Sequence, residues 1–355
     1  MKIAFLGDVS FTGKYDLATN PNAQKGFEEI SKFLSSYDYV IANLENPLTT
    51  KEKTLVCKSM HIKSHPINVE LLKYLNINVV NISNNHINDF GRKGIKDTIE
   101  VLENNNIKWY GLNDKSITLE FENEMVELLS FCCYSANATN YTRKGVTPIT
   151  FKNIKRVISE QDKNKLQILN FHWGEEHTNY PRISDIKFVK DICKKFKDLI
   201  IIGHHTHTIQ PIIKENNSLI CYSLGNFCFD ELKPLYGNQI LKQNEDNKKG
   251  IILELNIENG QVKEYNQFHI MERDDKIVLT NLEDEMKLLN ENYRKLDTIK
   301  YNELRNEQIR KNREFKFGKK DLNWVLSKIN YYAIGSYILR KKNEVMYKRY
   351  IINSK

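Results

Sequence analysis

From the first residue to about residue 230, short runs of apolar and β-branched residues alternate with polar segments of helical spacing. The runs KIAFLG, YDYVIANLE and INVVNIS are typical of strands, whereas FEEISKFLSS, VELLKYLN and GIKDTIEVLENN are typical of helices. This alternation is the pattern of α/β units, in which helices cover the strands of a sheet. The chain is therefore predicted to fold in the α/β class.

The second half of the chain predicts a change of architecture after Asp275. Further strands are predicted at 126–134, 166–171, 199–202 and 219–224, and a hairpin at 250–271 with Asn259 and Gly260 as its turn. Helical spacing follows at 282–296, 303–317 and 322–339. We therefore predict one domain at 1–275 and a helical extension at 276–355, a division that suits a chain of 355 residues.

Six of the predicted strands end abruptly in acidic, amide or imidazole side chains. The six segments are IAFLGD, VIANLEN, VNISNNH, ILNFHWGEE, LIIIGHHTH and ICYSLGN. Ligands of open α/β sheets bind beyond the carboxyl ends of the strands, so we expect these side chains to meet at one site. Carboxylates, an amide oxygen and imidazoles suit Mn²⁺, Fe or Zn²⁺, whereas a structural zinc is not expected without thiolates.

Such a ligand set favours a hydrolase with two metal ions. A carboxylate between two ions ~3.5–4 Å apart would help to activate a water and to clamp the oxygens of a phosphoryl group. Single motifs have simpler interpretations, because Asp8 can be a turn residue and the segment 84–86 can cap a helix. The three histidines in 204–207 serve no packing purpose at a strand end, which favours a site.

The ordered series GDV, NLE, NNH, HWGEE, GHHTH and SLGNF resembles the CapA family of poly-gamma-glutamate capsule biosynthesis proteins. The fold of that family is similar to that of the calcineurin-like metallophosphoesterases. The resemblance covers about residues 1–230. It implies an α/β/β/α sandwich of two sheets flanked by helices, with a metal centre along one sheet edge.

The resemblance also implies roles for nine residues. The implied metal ligands are Asp8, Glu45 as the bridging acid, Asn85, His172, His205 and His207. The implied catalytic residues are His86, which would assist the leaving group, and Glu176 and Asn226, which would support ligands or contact the substrate. Ser10 stands where the superfamily has a histidine, and Glu45 where it has an aspartate, so the expected cofactor is one or two divalent ions, Mn, Fe or Zn.

The resulting hypothesis is a metal-dependent, phosphoesterase-like hydrolase in capsule or surface-polymer biosynthesis, acting on a phosphorylated or anionic glycan or polymer intermediate. One alternative keeps the metal but cleaves an amide bond in a gamma-glutamyl-type polymer. Another is a non-catalytic scaffold of a polymer synthesis or export assembly, which the serine at position 10 and the basic tail favour. The sequence leaves these alternatives open.

The basic excess of the chain lies in its last part. The formal net charge is +8, and fifteen Lys and Arg face five Asp and Glu between Lys300 and Lys355. Tyrosines interleave with these cations at 331–350, which predicts a packed helical hairpin with a solvated cationic face. A functional interpretation is peripheral contact with an anionic membrane, while nucleic acid is not expected as a partner.

The expected location is the cytoplasm, with the inner face of the membrane as the place of any peripheral contact. The opening MKIAFLGDVSFTG has no signal-peptide core, and no apolar run approaches the ~20 residues that span a bilayer. The six cysteines lie in apolar or strand-like contexts without a CxxC pair, which predicts reduced core residues.

Overall fold

Two β-sheets, flanked by helices, form the computed structural model, which describes residues 1–133, 145–162, 165–235, 240–295, 297–317 and 329–352. The strands in chain order are β1 Lys2–Val9, β2 Tyr39–Leu44, β3 Ile77–Asn81, β4 Lys108–Tyr110, β5 Ile117–Phe121, β6 Glu124–Cys132, β7 Leu166–His172, β8 Ile200–His204, β9 Ile212–Glu215, β10 Ser218–Cys221, β11 Asn226–Cys228, β12 Lys249–Glu258, β13 Gln261–Arg273 and β14 Lys276–Thr280. The helices are α1 Glu28–Leu34, α2 Val69–Tyr74, α3 Gly91–Asn104, α4 Phe151–Ser159, α5 Ile183–Lys195, α6 Glu283–Lys295, α7 Thr298–Phe317 and α8 Tyr331–Ile352.

The first sheet has the order β14-β13-β12-β1-β2-β3-β4, with β11 also paired to β1. The second sheet has the order β5-β6-β7-β8-β10-β9. In the first sheet β1, β2, β3 and β4 run parallel to one another, and in the second sheet β6, β7 and β8 do so. Their carboxyl ends therefore lie at common edges, where the polar segments of the sequence emerge.

The sheets pack face to face through apolar side chains. One buried cluster joins Phe5 and Leu253 of the first sheet to Leu128 and Ile202 of the second. The alternation of side chains along each strand directs the intervening residues to the outer faces. There, a second cluster packs the first sheet against α1, α2 and α3, and a third packs the second sheet against α4 and α5. The α/β/β/α sandwich implied by the resemblance is confirmed.

The predicted hairpin is present, and helices follow it as predicted. Strands β12 and β13 flank Asn259 and Gly260, which both have positive φ angles of 54° and 69° as an Asn-Gly turn requires. Strand β14 pairs with β13 and so continues the first sheet beyond residue 275. The division of the chain at 275 stays a prediction.

The C-terminal helices contact the domain. Met286 and Leu289 of α6 join the cluster between the sheets, and Tyr301 of α7 is 2 % exposed. Residues 318–328 lie outside the described residues, and with them the first part, 322–328, of the helix predicted at 322–339. Helix α8 extends to residue 352. Several of the predicted tail side chains, including Arg340, Tyr347, Lys348, Arg349 and Tyr350, also lie outside the described set. No described helix is apolar over enough length to cross a bilayer.

Candidate metal centre

Asp8 lies near the carboxyl end of β1, between two asparagines that the sheet register places on either side of it. Its register partners are Asn43 on β2 and Asn226 on β11. The fully buried carboxylate accepts a 2.7 Å hydrogen bond from Nδ2 of Asn43 and a 3.0 Å bond from the backbone N–H of His205. Although burial opposes the charged form, the nearby His204 and His207 hold the pKa of Asp8 below its ordinary value.

Glu45 follows the last residue of β2 and is completely buried. Neither oxygen of its carboxylate has a hydrogen-bond partner among the described residues. Its Oε1 lies 3.7 Å from Nε2 of His172 and 3.6 Å from Nε2 of His207. Burial, with added repulsion from Asp8 and Glu176, raises the pKa of Glu45 well above its ordinary value. A buried charge requires a cation or hydrogen-bond donors, and the described residues supply this carboxylate with no donor.

Two groups of ligand atoms meet at Glu45. The first comprises Glu45, His172 and His205, and the second comprises Asp8, Glu45 and His207. In each group the ligand atoms all lie within 4.8 Å of one another. Asn85 adjoins the first group, because its Oδ1 is 2.9 Å from Nε2 of His172. The structure therefore brings together all six residues predicted as ligands, with Glu45 shared by both groups.

The loop after β8 delivers two of the histidines through unusual backbone conformations. His205 and His207 have φ angles of 90° and 56°, both in the left-handed region. Gly203, within β8, has no room for a side chain, since a Cβ atom would lie 1.9 Å from the carbonyl oxygen of Tyr222. The close approach of the Gly203 and Tyr222 backbones fixes the start of the loop. It thereby helps to place the imidazoles of His205 and His207.

Asn226 supports the site rather than joining either group of ligand atoms. Nδ1 of His207 donates to its Oδ1 at 2.9 Å, and its Nδ2 donates to the carbonyl oxygen of Asn247. Asn247 in turn donates to the carbonyl oxygen of His207 at 2.9 Å. Hydrogen bonds of this kind orient an imidazole so that its other nitrogen faces a metal ion.

His172 is positioned on both sides and is kept neutral. Its Nδ1 lies 3.3 Å from Nδ2 of Asn43, and its ring centroid lies 4.7 Å from that of His205. Burial and the neighbouring imidazoles of His205 and His204 lower the pKa of His172 well below its ordinary value. Neutral imidazole is the form that binds a metal ion.

His86 lies beside the first group and is held by a buried carboxylate. Its Nδ1 is 2.6 Å from Oδ2 of Asp89, which also accepts a 2.8 Å bond from the backbone N–H of Ile62. Lys58 lies 3.0 Å from the other oxygen of Asp89 and 2.8 Å from Nδ1 of His86. Burial lowers the pKa of His86 to about 4, despite the opposing effect of Asp89.

Glu176 lies at the rim of the site, with 45 % of its side chain exposed. It belongs to neither ligand group, and its Oε2 is 3.4 Å from Nε2 of His177. Partial desolvation disfavours its charge, but His205, Lys316 and His207 outweigh that effect and lower the pKa of Glu176 to about 2. This carboxylate therefore stays ionised at neutral pH at the rim of the site.

Sequence reasoning assigned no role to several residues that hold the site. Asn43 and Asn84 stand in the recognised strand ends, and Asp89 stands three residues after His86, so a signal for each was present. Lys58 and Asn247 stand in segments without any motif. Only the three-dimensional contacts bring those two to the site.

The residues present fit a divalent metal ion. The observation that tests the fit is the buried Glu45 carboxylate, whose oxygens have no donor among the described residues and face imidazoles from two sides. Carboxylates, imidazoles and one amide oxygen form the mixed donor set of Mn²⁺, Fe or Zn²⁺ sites.

Comparison with known proteins finds relatives among capsule proteins. The chain is 31 % identical over 244 residues to PGA biosynthesis protein CapA of Bacillus subtilis, an alignment that covers 65 % of this chain and 64 % of that relative. It is 29 % identical over 257 residues to capsule biosynthesis protein CapA of Bacillus anthracis, covering 67 % of this chain and 62 % of the relative. The chain thus spans less than two thirds of the length of both relatives.

Among solved structures, a putative 5'-nucleotidase from Staphylococcus aureus aligns with 82 % of this chain and 58 % of its own, at 12 % identity and a TM-score of 0.44. The family model described as bacterial capsule synthesis protein PGA_cap matches residues 2–231. Those residues contain every strand end that contributes to the two ligand groups. The chain belongs to this family of bacterial capsule synthesis proteins.

Proposed function

We propose that this protein is a metal-dependent hydrolase that cleaves a phosphoester in the synthesis of a capsule or another surface polymer. Membership of the capsule synthesis family supports the biological context. The single observation that carries the chemical part is the fully buried Glu45 carboxylate, which is shared by two groups of ligand atoms and has no hydrogen-bond donor in the part of the chain that the structure describes. Such a carboxylate is costly to bury unless a cation neutralises it.

Six residues would hold one or two divalent ions in this scheme. They are Asp8, Glu45, Asn85, His172, His205 and His207. When bound, a divalent ion supplies Lewis acidity that polarises a phosphoryl oxygen and lowers the pKa of a water. Asn43 and Asn226 orient Asp8 and His207, so the protein's own contribution is a ligand set that is fixed before the substrate arrives.

His86 is the residue that would serve the leaving group. It lies next to the Asn85 ligand in the chain, and Asp89 fixes its ring through Nδ1, which directs Nε2 away from that carboxylate. Because Nδ1 donates to Asp89, a proton at Nε2 requires the imidazolium form of His86; in that form the Nε2–H would protonate the departing oxygen or stabilise the charge that develops there. The substrate would be a phosphorylated or anionic glycan or polymer intermediate.

The test begins with protein stripped of metal and reloaded separately with Mn²⁺, Fe²⁺ and Zn²⁺. We expect hydrolysis of bis(p-nitrophenyl) phosphate with at least one ion, and none for the stripped protein. Elemental analysis before stripping reports which ion copurifies. Wild type that binds no divalent ion, or that binds one and turns over no phosphoester, would refute the proposal.

The same preparations separate the two alternative functions. Release of p-nitroaniline from γ-glutamyl-p-nitroanilide without phosphoester turnover would indicate an amide hydrolase. Inactivity on both substrates, together with normal polymer production in cells that carry His86→Ala, would indicate a scaffold. Peripheral contact of the C-terminal segment with an anionic membrane stays a prediction.

A further inference from the structure

Helix α7 packs along the loop that follows β7 and carries Glu176. Oε1 of Gln308 accepts hydrogen bonds from Oγ1 of Thr178 at 3.1 Å and from the backbone N–H of Asn179 at 2.9 Å. Nδ2 of Asn312 donates to the carbonyl oxygen of His177. The C-terminal extension is thus joined to the wall of the candidate metal centre through side chains of one helix face.

The last turn of α7 brings a lysine ammonium to this wall. Lys316 is 9 % exposed, and its Nζ contacts Nε2 of His177. The ring of His177 stacks on that of His207, with centroids 5.6 Å apart and an interplanar angle of 27°. Lys316 is therefore one imidazole away from a proposed ligand, and it attracts the rim carboxylate of Glu176.

Further cations lie on the same helix. Beside the loop, α7 and Glu175 form a groove of about 670 Å³. Its charged lining residues are Glu175, Arg305, Arg310, Arg313 and Glu314. Arg305 and Arg313 both pair with Glu175. Because three arginines face two glutamates in this lining, the net charge of the groove is positive. Positive potential of this kind attracts anionic ligands towards a site.

These cations lie outside the residues that the family model matches. The family model matches residues 2–231, whereas α7 begins at Thr298. Burial lowers the pKa of Lys316 to about 8, against the opposing effect of Glu176, and the ammonium is still mostly charged at neutral pH. A residue of this position and charge can distinguish substrates without binding the metal.

We propose that Lys316 binds a second anionic group of the substrate, a carboxylate or a phosphate a few bonds from the group held at the metal centre. The residue is then a specificity determinant that α7 contributes to the site. Entry of the anion would shift the ammonium from His177 and Glu176 towards the ligand. This inference rests on the proposed metal-dependent function, which supplies the first anion site.

The test measures binding by calorimetry to the full-length protein loaded with Mn²⁺. The probes are propylphosphonate, which has one anionic group, and 3-phosphonopropionate and propane-1,3-bisphosphonate, which carry a second. We expect wild type to bind at least one of the two probes with a second anionic group about tenfold more tightly than propylphosphonate. A tenfold difference is the contribution expected of one charge-assisted hydrogen bond. Whichever probe is preferred identifies the second group as carboxylate or phosphate.

Three variants assign the preference to the residue. Lys316→Met should abolish it, and Lys316→Arg should retain most of it. Lys311→Met is the matched control on the same helix, because Lys311 is 63 % exposed and pairs with Glu307 away from the loop. The control should bind all three probes like wild type. Circular dichroism and metal content confirm that each variant is folded and loaded.

Two results would overturn the inference. The first is that wild type binds all three probes with equal affinity or binds none of them. The second is that the preference for a probe with two anionic groups persists in Lys316→Met. In either case Lys316 would contribute to the wall through His177 and Glu176 and would not select substrates. Failure of the hydrolase proposal is recognised separately. A protein that prefers the probes with two anionic groups through Lys316, yet cleaves no phosphoester, would support the anion site and refute the hydrolase activity.

Discussion

Asn43 donates a 2.7 Å hydrogen bond from Nδ2 to Oδ1 of Asp8, its register partner on the neighbouring strand. The same Nδ2 lies 3.3 Å from Nδ1 of His172, which belongs to the other sheet. Oδ1 of Asn43 accepts from Nδ2 of Asn81 and Asn84, at 3.3 and 3.4 Å. One amide thus fixes a proposed ligand from each sheet, and its own orientation is fixed by two further amides.

Replacement of Asn43 by alanine should weaken metal binding by about 10- to 100-fold, because both supported ligands lose their orientation. The measurement is Mn²⁺ affinity by competition with a fluorescent chelator. Asn22→Ala is the control, since Asn22 is exposed and its side chain caps no helix. Wild-type affinity in Asn43→Ala would mean that the backbone alone positions Asp8 and His172.

Glu45→Gln should have opposite effects on the metal-free and metal-loaded protein. A neutral amide is cheaper to bury than an unpaired carboxylate, so the free energy of unfolding of the stripped protein should rise by about 1 kcal/mol or more. Mn²⁺ should then add little stability, because the shared ligand is lost. Thermal unfolding with and without Mn²⁺ measures both effects.

Glu70→Gln is the control for that pair of measurements, since the Glu70 side chain is 56 % exposed. It should unfold like wild type in both states. A stripped Glu45→Gln protein that is less stable than stripped wild type, or one that Mn²⁺ stabilises fully, would contradict the assignment of Glu45 as the shared ligand.

His86→Gln should lower kcat by about 10²- to 10⁴-fold without loss of bound metal. The loss should be larger for phenyl phosphodiesters than for p-nitrophenyl phosphodiesters, because a poor leaving group depends more on a proton donor. The ratio of the two kcat values is the measurement. His65→Gln, at an exposed position, should leave the ratio unchanged. An equal loss on both substrates would assign His86 a role other than proton donation.

Gly203→Ala should destabilise the protein by about 3 kcal/mol or more, at or beyond the upper end of the usual cost of overpacking. The new Cβ would lie 1.9 Å from the Tyr222 carbonyl oxygen and 2.8 Å from that of Cys221. Gly260→Ala is the comparison, because its φ is +69° but no atom lies within 4 Å of the added Cβ, so it should cost only ~1–2 kcal/mol. Urea unfolding measures both, and equal costs would show that β8 and β10 can separate locally.

The α/β class, most elements and the proximity of the six residues predicted as ligands could be predicted from the sequence. Apolar periodicity identifies strands such as β7, and an abrupt polar end such as HWGEE marks where each strand opens into the site. The partners that arrive from remote segments could not be predicted. Lys58, Asn247 and Lys316 carry no local signal, because a lysine or asparagine in a polar segment is usually solvated.

The first and last residues of the strands and helices were harder to predict than their type, because pairing with a neighbouring strand also decides where a strand ends. Strand β8 continues through Gly203 to His204, where apolar periodicity has already ended, because backbone pairing with β7 extends to the His172–His204 pair. The roles of the nine predicted site residues stay predictions. What the structure adds is that Glu176 and Asn226 lie beside the ligand groups rather than within them.

The attachment of α7 to the loop after β7 has a consequence for how such proteins diversify. The helix reaches the loop through the side chains of Gln308, Asn312 and Lys316, and none of the described strands pairs with it. If Lys316 binds a second anionic group as proposed, mutation along this helical face would change which molecules are admitted without altering a residue of the two ligand groups. Substrate choice and metal binding would then be encoded in separate stretches of the gene.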